Sequence, residues 1–154
     1  MALKPNRHVL ESDITFVCND AHDKGTVLVY GTSMSGVGVY NPGIVTVAAN
    51  SSGKIPAGVS LSSFVNIDQT RQKRNFQRDE QVIGEKAPLL RKGWVVTDRI
   101  ASGVSASIDA GVTAYVGASG LLTPTASTNP KIGQFAGKVD ADGFVKVYIN
   151  LPLV

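Results

Sequence analysis

The chain has 154 residues, 43% of them hydrophobic and 18% charged, which suits one compact domain with a core and excludes both two full domains and global disorder. Its only cysteine, Cys18, excludes an internal disulfide or a thiolate metal site within one chain and points to synthesis in a reducing cytoplasm. Sixteen Gly and seven Pro among many Ser, Thr, Val and Ala predict a mainly β fold, because such residues favour short strands and tight turns over long helices.

In chain order, residues 1–24 are polar, carry Pro5 near the start and alternate apolar side chains only at Ile14, Phe16 and Cys18. This predicts an extended N-terminal arm leading into an edge strand. Residues 1–13 hold too few apolar groups to offset ordering entropy alone, so they are expected to order on a neighbouring subunit. No secretory signal pattern or membrane-length apolar run is visible, so neither export through a signal nor membrane embedding is expected.

From Gly25 the texture becomes that of a single β domain, 25–154. β-branched runs at 26–30, 37–40 and 44–49 are separated by the Gly-rich segments 31–36 and 41–43 and read as strands joined by turns. Residues 55–67 alternate apolar and small polar side chains over their second half, as a strand with one wet face does.

The pattern stops between Asp68 and Gln81, leaving a polar, basic loop at 69–81. Around it Arg71, Lys73, Arg74, Arg78, Lys86, Arg91 and Lys92 oppose only Asp79, Glu80 and Glu85. This segment carries +4 of a chain total of +3, so the remainder is nearly neutral. Such a local patch suits contact with an acidic protein surface better than coating of nucleic acid, whose binders spread basic charge over a whole face. Phe76 is the loop's only aromatic residue, whereas single-strand binders stack bases on several. No direct nucleic-acid or membrane partner is expected.

Apolar patterning resumes at 82–83 and continues through 87–90, 93–97, 105–108 and 114–116, followed by a Gly/Ser/Thr/Pro-rich connection over 117–130. Residues 131–139 and 144–151 then flank Asp140-Ala-Asp-Gly143, predicting a β-hairpin. Val145, Val147, Ile149 and Leu151 share one face, and Gly143 sits where a positive φ is cheap.

Groups that titrate or coordinate are sparse. His8 and His22 are the only histidines, and Asp20, His22 and Asp23 read as a solvated turn rather than a metal site. The serines of 31–36 and 103–107 lack a nucleophile-elbow pattern, and Val37-Gly38 stands where a phosphate loop needs Lys-Ser/Thr. Asp140-Ala-Asp-Gly lacks the later ligands of a calcium loop. The expectation is a non-enzymatic protein without catalytic residues, cofactor or metal, in which Trp94 supplies interface area.

Four stretches carry a resemblance: Gly53-Lys-Ile-Pro-Ala-Gly-Val59, the Gly/Ala-rich run 110–123, Lys131-Ile-Gly-Gln134, and the ending 140–152. Over roughly 25–154 the chain resembles the head decoration (cement) proteins of tailed bacteriophages. The resemblance implies a small β-barrel or β-tulip domain that binds the major capsid protein on the outside of the virion head. It also implies a homo-oligomer, more often trimer than dimer, that stabilises the capsid lattice. Local physics, not a family motif, nominates Lys4, Arg7, Arg71, Lys73, Arg74, Arg78 and Trp94 as contacts, with the arm adding as a strand to a neighbour's sheet. The principal alternative is a receptor- or glycan-binding module of a virion spike or tail, and a small trimeric β hydrolase comes last.

Overall fold

A computed structural model describes residues 2–34, 43–67, 70 and 73–152. The strand expected at 37–40 and the candidate Arg71 lie outside the described residues. The fold is mainly β: β1 His8–Asp13, β2 Val17–Cys18, β3 Val27–Met34, β4 Gly43–Thr46, β5 Pro56–Ser60, β6 Ser63–Val65, β7 Glu80–Val82, β8 Leu89–Thr97, β9 Thr113–Val116, β10 Leu122–Thr123, β11 Lys131–Phe135 and β12 Val145–Asn150. Among the described residues three short 3-10 turns, Phe76–Arg78, Ser105–Ser107 and Ala118–Gly120, interrupt them. The second falls where apolar patterning at 105–108 suggested a continuing β run. Among the described residues no helix is long and apolar enough to cross a membrane.

One mixed sheet runs in the order β10-β9-β11-β12-β8-β5-β3-β4-β2, with β1 also paired to β8. Nothing joins β10 to β2 among the described residues, so the sheet does not close into the expected barrel. The predicted hairpin is present as β11 and β12, antiparallel with Gln134 opposite Tyr148. Its turn is held by the Asp140 carboxylate, which accepts the backbone N–H groups of Asp142 (3.0 Å) and Phe144 (2.8 Å).

The central strands are buried on both sides, which is why they read as continuous apolar runs. Val27, Val59 and Leu90 enter one core with Ile132, Phe135, Val145, Val147 and Ile149. Leu28 and Leu89, next in chain to Val27 and Leu90, enter a second core with Ala57, Cys18, Val45 and Phe64. Successive strand residues point to opposite faces, so Leu89 and Leu90 stabilise different cores, and truncating either to Ala costs about 2–5 kcal/mol.

β8 organises the molecule. It pairs with β12 over residues 92–97 and with β5 at Leu89 and Leu90, while β1 pairs with it from Leu89 to Trp94. A strand has only two edges, so β5 and β12 share one and β1 holds the other. Leu10 is an extra residue on β1 and Arg91 an extra residue on β8, two offsetting bulges that restore the register by Ser12. Upstream, Leu3 bridges Thr97, the Lys4 N–H donates to the Val96 carbonyl at 2.9 Å, and Thr97 Oγ1 donates to the Ala2 carbonyl at 2.6 Å. Ala2 and Leu3 are buried. The N-terminal arm therefore docks on its own domain, in contrast to the free, disordered arm expected from composition. Its partner strand lies some eighty residues further on, beyond the reach of a local apolar count.

Candidate interaction surfaces

The outer face of the sheet is built by register. His8 pairs with Trp94, Trp94 with Tyr148, Tyr148 with Gln134 and Gln134 with Thr113. Directly paired residues project to the same side of a sheet, so five strands present one row of side chains. His8 stacks on Trp94 at 6.5 Å between centroids, and Lys146 Nζ lies 4.1 Å from the Trp94 centroid and 5.3 Å from that of Tyr148. Trp94 is thus half-buried beneath its neighbours, while Tyr148 remains 46% exposed. Beside Tyr148 a groove of about 300 Å³ is lined by Thr113, Lys131, Gly133, Gln134 and Asn150.

β1 borders this face. Its outer edge pairs with no strand among the described residues, and it carries Leu10 at 71% exposure, with Ile14 just beyond at 62%. Neither residue was among the nominated contacts: Ile14 was read only as part of the edge-strand alternation with Phe16 and Cys18, and Leu10, a lone apolar side chain in a polar segment, was not singled out.

A second surface arises from the parallel pairing of β6 with β7, Ser63 opposite Glu80 and Val65 opposite Val82. Parallel strands cannot be joined by a tight turn. The basic loop is the crossover this pairing demands, and it ends in a built promontory. Asn75 Oδ1 accepts the Gln77 N–H (3.0 Å), Glu80 Oε2 accepts the Asn75 N–H (2.7 Å), and Asp79 closes the turn in the left-handed region at φ 53°. Arg74 makes a two-pronged contact to Glu85 at 3.0 and 2.9 Å, and Lys24 reaches Asp79 at 3.1 Å. At the tip Phe76 is 72% exposed, with the Arg74 guanidinium 4.5 Å from its ring centroid.

The nominated contact residues therefore fall into two groups. Arg7 and Trp94 belong to the β1–β8–β12 side, where Arg7 has no ion-pair partner among the described residues. Lys4 lies on that side too but is engaged internally, 3.6 Å from Asp140 and 4.5 Å from the Phe144 centroid. The other group, Lys73, Arg74 and Arg78, belongs to the loop, where Arg74 is committed to Glu85. Less of the loop's charge is available to a partner than its composition suggests.

The residues Asp20, His22 and Asp23 diverge. The Asp20 carboxylate accepts the Val47 N–H at 2.9 Å, and Asp23 pairs with Arg99 at 3.3 Å. His22 turns inward against Phe64, with rings 5.0 Å apart, and places Nδ1 2.9 Å from the Asp20 carbonyl and Nε2 2.9 Å from Ser60 Oγ. This histidine–serine pair has the spacing of a nucleophile and its base. However, Ser60 is fully buried and its hydroxyl lies 2.7 Å from the Ser62 carbonyl, so no substrate reaches it. Cys18 is equally buried, and desolvation pushes its thiol up to about 11, which removes the thiolate that nucleophilic chemistry requires. Among the described residues no three His, Cys, Asp or Glu side chains converge as metal ligands.

A scan against protein-family models returns no match for the chain, and a search of curated proteins returns none either.

Proposed function

We propose that the chain is a structural virion protein that binds the outer surface of a tailed-phage capsid through protein–protein contacts and so stabilises the head lattice. The capsid as partner comes from the sequence resemblance. The observation that carries the binding mode is the open edge of β1, with Leu10 and Ile14 largely exposed beside it. Bare strand edges accept strands from other chains, and native proteins blunt them unless they are used. The Leu10 bulge interrupts this edge and limits pairing to a short segment, as a contact repeated by symmetry requires. In this reading the arm presents its outer edge to a neighbour while its inner edge stays on β8. Co-sedimentation of the purified chain with heads that lack it tests the proposal. Saturable binding at a stoichiometry comparable to that of the major capsid protein is expected, and absence of binding contradicts it.

A second reading, a glycan-binding module of a spike or tail, is favoured by the groove beside Tyr148. Its amides, hydroxyl and ammonium from Gln134, Asn150, Thr113 and Lys131 adjoin an exposed ring, the mixture that sugars use. Lys146 lies over the Trp94 ring at 4.1 Å and more distantly over that of Tyr148 at 5.3 Å, so Tyr148, 46% exposed, is the more open of the two platforms. A glycan array separates the readings: binding abolished by Tyr148→Ala supports the second.

A further inference from the structure

We propose that Phe76 is an anchor that inserts into an apolar pocket rimmed by carboxylates on the protein to which this chain docks. The inference rests on the reading that the chain is a capsid-binding protein, and it names the residue and the partner chemistry at the contact.

Phe76 has no part in either core and is the most exposed of the large hydrophobic side chains among the described residues. An exposed Phe on a floppy loop carries little meaning, but this one is fixed from several directions. Asn75 caps its turn, the Asp79 N–H donates to the Phe76 carbonyl at 3.2 Å, and Arg74, Asp79 and Asn75 are tied respectively to Glu85, Lys24 and Glu80. The left-handed φ of Asp79 adds backbone strain that the surroundings must support. Effort spent on holding a side chain that stabilises nothing inside the molecule is preorganisation for something outside it. An aromatic ring that loses little freedom on binding is the usual centre of an interface hot spot.

The charges around the ring define the pocket. The Arg74 guanidinium lies over the ring and is held there by Glu85, and Arg78, two residues on, has no ion-pair partner among the described residues. A matching pocket places carboxylates at its rim where the Arg78 guanidinium arrives, since Arg offers forked donors to them, while Arg74 stays over the ring, neutralised by Glu85. A lipid surface is a poorer fit: membrane binding grows with buried apolar area, and this promontory offers a single ring with its cations set in fixed directions.

The experiment compares wild type, Phe76→Ser, Phe76→Leu and Arg78→Ser for binding to heads that lack the chain, by co-sedimentation at two salt concentrations. Vesicles of phosphatidylserine and phosphatidylcholine are run in parallel. Phe76→Ser is expected to weaken head binding about tenfold or more at both salts, Phe76→Leu to recover part of it, and Arg78→Ser to weaken binding mainly at low salt. Thermal midpoints of the Phe76 variants are expected to match wild type, because the ring packs in no core. Wild-type binding that Phe76→Ser leaves within twofold overturns the inference and leaves the capsid reading standing. Vesicle binding lost on Phe76→Ser, with head binding unchanged, overturns it in favour of a membrane. A wild-type chain that does not bind heads overturns the capsid reading, and this inference with it.

Discussion

His22 Nε2 lies 2.9 Å from Ser60 Oγ, and that same hydroxyl lies 2.7 Å from the Ser62 carbonyl while Nδ1 faces the Asp20 carbonyl at 2.9 Å. Three contacts need three protons, and a neutral imidazole with one hydroxyl supplies two. Protonating His22 completes the chain of hydrogen bonds, but burial opposes the charge and is the larger effect. It lowers the pKa despite the Asp20 carbonyl and the nearby Asp20 and Asp23 charges. A histidine whose folded pKa is depressed stabilises the fold in its neutral form. Its contribution is therefore full above about pH 6.5, the ordinary imidazole value, and is lost as pH falls below that towards the folded value. Urea midpoints at pH 7.5 and 5.5 are expected to show wild type losing more stability on acidification than His22→Gln. Equal losses would contradict this.

Ser60→Ala removes the hydroxyl that joins His22 to the Ser62 carbonyl and leaves buried polar groups unpaired. A loss of about 1–3 kcal/mol is expected, read from equilibrium unfolding at neutral pH. An unchanged midpoint would mean that water replaces the hydroxyl.

Cys18, fully buried with its thiol pushed up to about 11, is expected to resist a thiol reagent in the native protein at pH 8 and to react stoichiometrically once the chain is unfolded. Rapid native labelling would show that the second core opens readily around β2.

At Gly93 β1 packs directly against the β8 backbone. The Gly93 φ is +136°, and a Cβ there would collide with the His8 carbonyl. Gly93→Ala is therefore expected to cost about 1–3 kcal/mol and to raise hydrogen exchange in β1 selectively. Uniform exchange across the sheet would mean that β1 is not a separable layer.

How much of this was legible in the sequence depended on how local the cause was. The β11–β12 hairpin was legible because alternation from Val145 to Leu151 and a turn glycine, Gly143 at φ +85°, sit within one short segment. The burial of the central strands on both faces was not read from the sequence, where 26–30 and 87–90 stood only as short apolar runs. Nor was the docking of residues 2–13, because its cause is the free edge of β8. For the basic loop expected at 69–81, residues 69, 71 and 72 lie outside the described residues and 80–81 belong to β7; composition showed the cations, whereas the pairing of Arg74 with Glu85 and the fixing of Phe76 follow from the parallel pairing of β6 with β7. The row from His8 through Trp94 and Tyr148 to Thr113 is a product of register across five strands, and only Trp94 had been nominated from it.

Docking of the chain on the capsid through β1 is open to a direct test by electron cryomicroscopy of heads imaged with and without the bound chain. The difference density is expected on the outer surface of the capsid, with the outer edge of β1 and residues Leu10 and Ile14 turned towards a neighbouring subunit. Density confined to the tail or a spike, or a capsid-bound chain whose β1 edge faces solvent, would contradict it.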